Sequence, residues 1–124
     1  TPRNTNMLLW HRKLWLIDHG AALFFHHRGG PYAPRARNPF PQIAEHVLLD
    51  RATAVAQADA TARERLTPTV IRDVVGLIPE GWLRAGGFES AREHREAYAA
   101  YLLTRLEASG VFVEEVQRAR AQPV

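Results

Sequence analysis

Two asparagines, Asn4 and Asn6, stand directly before a short apolar ribbon, and Asp18-His19-Gly20 stands directly after it, in the stretch RNTNMLLWHRKLWLIDHG. An amide oxygen and a carboxylate are hard donors. Together they suit Mg²⁺, which takes one or two protein ligands and completes its shell with water or phosphate oxygens. Taken alone, Asp18 reads as the cap of a turn that Gly20 opens, and Asn4 as ordinary turn chemistry. Taken as a pair, they read as a cation site, provided the intervening chain folds back on itself.

The element that would fold it back is a β-hairpin. Met7-Leu8-Leu9-Trp10 and Leu14-Trp15-Leu16-Ile17 are apolar runs separated by the polar turn His11-Arg12-Lys13. Neither run alternates cleanly, so both faces are expected to be covered. A lone hairpin is marginal in water and must pack on something else.

Behind it lies a loop over 28–42, with Gly29, Gly30, Pro31, Pro34, Pro39 and Pro41 forbidding any regular element. Its arginines, Arg28, Arg35 and Arg37, are candidates for contact with a peptide or nucleic acid substrate, against the plainer expectation of a solvated surface loop. Tyr32 is its one candidate modification site.

From 43 to 121 the pattern is helical. Ile43, Val47 and Leu48 share one face of a first helix, and Asp50 is a plausible N-cap for a second, alanine-rich one. Thr67-Pro68 is a cap followed by proline at the first helical position, ahead of a stripe of Val70, Ile71, Val74, Val75 and Ile78 that ends at Pro79. Trp82 and Leu83 belong to a short turn closed by Gly86-Gly87. Ser90 with Glu93 has the spacing of a capping box for the longest helix, whose buried stripe is Tyr98, Tyr101, Leu102 and Leu106. Ser109-Gly110 breaks it, and a last helix runs from Val111 to about Ala121. The fold class expected is mainly α with a short N-terminal β-hairpin, as one domain over 1–124 with no internal repeat.

Composition narrows the function classes. The chain has 124 residues, 46% hydrophobic and 23% charged, in the range of an ordinary globular domain. Without cysteine it has neither disulfides nor thiolate metal sites. No apolar run approaches the roughly 20 residues that cross a bilayer, and no signal-like segment opens the chain, so the expectation is a cytoplasmic protein with no membrane partner. The net charge is only +3 despite a pI near 9.9, because nearly all cations are arginines. Acids are interspersed among them, which speaks against nucleic acid as a partner. His26 and His27 are adjacent and point opposite ways in extended chain, so a zinc pair is not expected there. His46 and His94 sit in helical patterns and carry no signal. Trp10, Trp15 and Trp82 are expected to pack in the core or between lobes.

The order Asn, hairpin, Asp-x-Gly resembles the catalytic half of protein kinases, in which a catalytic Asp precedes a metal-binding Asn and an Asp-Phe-Gly follows a strand pair. More narrowly, RNTNMLLWHRKLWLIDHGAALFFHH, PFPQIAEHVLL and YLLTRLEASGVFVEEVQRAR are similar to the HipA-like serine/threonine kinases of bacteria, in their actinobacterial branch. The resemblance implies the helical C-lobe of an ATP- and Mg²⁺-dependent protein kinase, with Asn4 and Asp18 as the metal and nucleotide-phosphate ligands and Asn6 as a polar neighbour. It implies an N-terminal kinase lobe of the parent chain as partner, and a catalytic Asp two positions before Thr1, so no catalytic residue is assigned among these 124. His19 stands where the family has Phe. The glycine-rich loop and strand lysine are not in this sequence, so the chain by itself is not expected to phosphorylate anything. Members of the family act as toxins in toxin–antitoxin pairs by phosphorylating a translation enzyme; the substrate does not carry over with the motif. The competing class is a non-catalytic helical protein-interaction module, with nucleic-acid binding through arginines a weaker third.

Overall fold

The computed structural model describes residues 6–23, 25, 31–84 and 86–122. It is mainly helical with one two-stranded antiparallel hairpin at its N-terminal end. Strands β1 (Met7–Trp10) and β2 (Lys13–Leu16) pair with Met7 opposite Leu16, Leu8 opposite Trp15, Leu9 opposite Leu14 and Trp10 opposite Lys13. The turn holds two residues, His11 and Arg12, not three. Both have positive φ, 48° and 61°. A two-residue connection needs left-handed backbone at both positions to match the strand twist, a requirement usually met by Asn-Gly. Lys13 is thereby released into β2.

Four α-helices follow among the described residues: α1 (Val55–Arg65), α2 (Pro68–Gly76), α3 (Ala91–Glu107) and α4 (Gly110–Ala121). The local cap signals act as their chemistry dictates. Thr67 Oγ1 accepts from the Val70 amide at 3.3 Å with Pro68 at the first position of α2. Ser90 Oγ accepts from the Glu93 amide at 3.1 Å. The Glu93 carboxylate reaches back one residue past the usual capping-box partner and accepts from the Glu89 amide at 2.7 Å.

The helix expected around Ile43, Val47 and Leu48 is absent. Pro41–Glu45 and Leu49–Arg51 are separate 3₁₀ turns, and His46 between them is extended, with its Nδ1 accepting from the Leu48 amide at 3.1 Å. That side-chain bond offers the backbone an alternative to helix, and Val47 and Leu48 are left exposed. Asp50 accordingly caps nothing; it lies inside the second 3₁₀ turn, and α1 begins five residues later with Ala54 at its cap position.

The core is aromatic. Phe25, Tyr32, Ala36, Val75, Leu83, Tyr98 and Tyr101 form one buried cluster, with Leu23, Ile78, Phe88 and Leu102 packed against it. On α2 only Ile71 and Val75 are buried, so the apolar stripe divides and leaves Val70 and Val74 exposed. The loop over 28–42 is not merely a solvated surface. Its described part contains a 3₁₀ turn, Ala33–Arg35, whose flanks Tyr32 and Ala36 are sealed into the core. The three tryptophans do the reverse. Trp10, Trp15 and Trp82 are 59%, 52% and 75% exposed, so none packs in the core. Trp10 and Trp15 lie on a hairpin whose extensive packing is strand on strand, and Trp82 sits on a one-turn 3₁₀ segment that buries only its neighbour Leu83.

Candidate functional site

The base of the hairpin is closed by backbone and side chain together. The Ile17 amide donates to the Asn6 carbonyl at 2.9 Å, and Asn6 Nδ2 donates to the Asp18 carbonyl at 2.9 Å. Chain reversal therefore brings an asparagine and Asp18 into contact. The amide that does so is Asn6, and it grips the backbone of Asp18, leaving the carboxylate alone. Asn4, the expected partner ligand, lies outside the described residues, as do His26, His27 and Arg28.

Asp18 sits in the left-handed region, φ 52° and ψ 60°, at the cap position of the 3₁₀ turn His19–Ala21. Its side chain makes no cap bond. It also has no ion-pair or hydrogen-bond partner among the described residues, and it faces solvent. The plain reading of Asp18 as a turn cap thus loses its observable content. A non-glycine residue in this region costs of order 1–3 kcal/mol, and such strain clusters at functional positions. Four described residues carry it, namely Asn6, His11, Arg12 and Asp18, all within the hairpin or at its base.

A carboxylate that is exposed, sits on a backbone anchored through its carbonyl and has no partner among the described residues fits one ligand of a hard divalent cation. Among the described residues no group of three His, Asp or Glu converges, so protein oxygens from beyond them, or phosphate oxygens, would have to complete the shell.

Beside this turn runs an apolar cleft of about 470 Å³, lined by His19, Gly20 and Leu23 on one side and by Val75, Ile78, Trp82, Leu83, Tyr98 and Leu102 on the other. A second groove of about 300 Å³ between α2, α3 and α4 shares Val74 and Leu102 with it. His19 is exposed at the edge of the cleft.

Two polar residues beneath the cleft escape a reading from sequence. His94 is fully buried. Its Nδ1 lies 3.1 Å from the Leu83 carbonyl, which can only accept, so Nδ1 carries the proton. With Nδ1 as the protonated nitrogen of the tautomer, Nε2 accepts from the Tyr32 hydroxyl at 2.9 Å. Burial pushes the Tyr98 hydroxyl above its ordinary pKa, and its hydrogen bond to Tyr32 adds in the same sense. The available signal is the spacing of His94, Tyr98 and Tyr101 along one helix face. Tyr32 gives no such sign, and with its hydroxyl buried and bonded it is closed to modification in this conformation.

The described loop arginines are also engaged or exposed by position. Arg37 pairs with Glu107 at 3.5 Å on the surface. Arg35 borders a groove of about 300 Å³ with Asn38, Phe40 and Tyr101. Arg105 binds the Ala36 carbonyl at 3.2 Å and the Asn38 carbonyl, and lies 4.7 Å over the Phe112 ring, stitching the segment after the site to α3 and α4.

No helix is long and apolar enough among the described residues to cross a membrane. No family model, no curated protein and no solved structure matches the chain.

Proposed function

We propose that the chain is the helical C-lobe of a HipA-like, ATP- and Mg²⁺-dependent serine/threonine protein kinase, with Asn4 and Asp18 as its metal-binding residues. The observation that carries the reading is Asp18: a strained, exposed aspartate at the foot of a hairpin, pinned through its carbonyl by Asn6, with a carboxylate that serves no structural partner. Mg²⁺, when bound, would supply charge neutralisation for phosphoryl transfer from ATP. Asp18 would hold that ion, and Asn6 would fix the direction from which the carboxylate approaches. The second support is the hairpin itself, whose Leu9, Leu14 and Leu16 are 72%, 58% and 66% exposed. Apolar strands of this kind call for a cover, which the reading supplies as the N-terminal kinase lobe.

The test is Asp18→Ala in a polypeptide that carries the residues encoded upstream. Mg²⁺-ATP turnover is expected to vanish while the circular dichroism and melting temperature stay unchanged, because the lost carboxylate stabilises nothing within the fold. Retained turnover refutes the assignment, and so does an upstream sequence without an Asp two positions before Thr1. The same exposed apolar surface favours a second reading, a non-catalytic helical protein-interaction module. ATP binding by the longer polypeptide separates the two.

A further inference from the structure

The groove of about 300 Å³ bordered by Arg35 shares no lining residue with the cleft beside the Asp18 turn. Its lining includes two arginines, Arg35 and Arg105, two side-chain amides, Asn38 and Gln42, and no acid. The Arg35 side chain is half-buried and has no ion-pair or hydrogen-bond partner among the described residues. Arg105 gives Nη1 to the Ala36 and Asn38 carbonyls and its flat face to Phe112. Its Nε and Nη2 donors have no acceptor among the described residues. The acid closest to it in sequence, Glu107, is paired with Arg37.

Tyr101 supplies an independent sign. Its ring packs against Phe25, 4.3 Å between centroids, and the residue is only 8% exposed. Its hydroxyl nevertheless has no hydrogen-bond partner among the described residues and is not sealed from solvent. The opening that Tyr101 borders is this groove. Polar groups held this deep normally have a partner, and a phenolic hydroxyl can donate to one. Pro39 and Pro41 fix the backbone on either side of Phe40, whose half-exposed ring is an apolar wall of the same groove.

We propose that this groove binds a phosphate monoester carried on a flat ring. Guanidinium groups only donate, and they pair with phosphate oxygens through charge-assisted hydrogen bonds. Two of them without an acid call for more than a single negative charge. A phosphate monoester carries about −1.5 to −2 at neutral pH, more than a carboxylate or a sulfate ester. Phe40 offers a face for the ring that bears it. The volume is at the small end of ligand pockets, which suits one such headgroup. Because Arg105 is tied down and the prolines are rigid, little ordering is needed on binding. A fragment of this size then binds with a Kd of roughly 0.1–1 mM.

The test is a titration of the 124-residue chain with phenyl phosphate, followed by amide chemical shifts in NMR. It is run without Mg²⁺, so that it fails separately from the phosphotransfer reading. Saturable shifts are expected at residues 35–42 and 101–105. Phenyl sulfate, of lower charge, and inorganic phosphate, without a ring, are each expected to bind at least fivefold more weakly. Arg35→Gln is expected to weaken phenyl phosphate at least tenfold. Tyr101→Phe is expected to weaken it at least threefold with an unchanged melting temperature, since the lost hydroxyl serves no described protein partner. Arg72→Gln, which removes a surface cation paired with Glu96, is expected to leave the affinity within twofold. Adenosine monophosphate and a phosphotyrosyl tripeptide separate the two sources of such a group, and the tighter of them identifies the carrier. No saturable shift at 10 mM, shifts confined to other residues, or phenyl sulfate bound as tightly as phenyl phosphate overturns the proposal. So does an affinity unmoved by Arg35→Gln or by Tyr101→Phe, or one lowered equally by Arg72→Gln.

Discussion

Tyr32→Phe removes one oxygen atom and changes no packing volume. Its hydroxyl is buried and donates to His94 Nε2, and His94 has no access to water. The variant therefore takes away the hydroxyl to which a buried ring nitrogen is bonded. Losing a typical hydrogen bond costs about 0.5–1.5 kcal/mol net, and stranding a buried partner raises this to about 1–3 kcal/mol. Water cannot replace the hydroxyl, because the ring is stacked against Phe88 at 4.2 Å and against Tyr98 at 4.9 Å between centroids. We expect about 2 kcal/mol. An unfolding entropy of about 2.1 cal/mol/K per residue gives roughly 0.26 kcal/mol/K for a chain of this length, so Tm should fall by about 8 °C. Urea denaturation followed by circular dichroism measures the first figure, and calorimetry the second. A double-mutant cycle isolates the pair: in a His94→Leu background, Tyr32→Phe should cost at least 1 kcal/mol less than in the native chain. A Tyr32→Phe penalty below about 0.5 kcal/mol, or an additive cycle, would refute the account of these residues as one polar unit.

Three further outcomes follow from buried or strained positions. Ser109 Oγ is buried with no hydrogen-bond partner among the described residues, so Ser109→Ala should raise stability by about 1 kcal/mol in urea titration. Gly86 has φ +115°, and a Cβ there would lie 3.1 Å from His94 Cε1, whereas Gly87 at φ +81° has open space around it. Gly86→Ala should therefore cost about 2–3 kcal/mol and Gly87→Ala only about 1 kcal/mol, compared by thermal melts. The Tyr98 pKa is raised above its unfolded value near 10. Its contribution is complete below about pH 10 and is lost as pH climbs toward the folded value, so the urea midpoint should fall in that alkaline range, and less steeply in Tyr98→Phe.

Signals that act over a few residues were legible in the sequence. Thr67-Pro68 and Ser90 with Glu93 each mark a helix start through groups three positions apart, and Ser109-Gly110 falls at the boundary between α3 and α4 without a side-chain cap bond. The hairpin was legible because two apolar runs flank a short polar turn, and its closure brings Asn6 to Asp18 as chain reversal requires. Residues whose fate depends on distant partners were not legible. Nothing near Tyr32 says that His94 awaits its hydroxyl, 62 positions away. The segment 43–51 has a helical pattern, yet His46 takes up a backbone donor locally and the helix does not form. The tryptophans illustrate the limit of hydrophobicity as a guide to burial: an indole is buried only if something covers it, and hairpin and 3₁₀ segment alike lack that cover among the described residues. For Asp18 the sequence offered the residue and its neighbour; the absence of any capping role required the backbone conformation.

Arg105 reaches back 69 positions to the Ala36 carbonyl and 67 to that of Asn38. A chain emerging from the ribosome at about 5–20 residues per second must therefore complete most of α3 before residues 31–38 find their anchor. Until then Tyr32 lacks its cover, several seconds during which a chaperone or a protease would meet the aromatic segment first. Early truncation of nascent chains before Arg105 should leave that stretch the most readily cleaved part of the molecule.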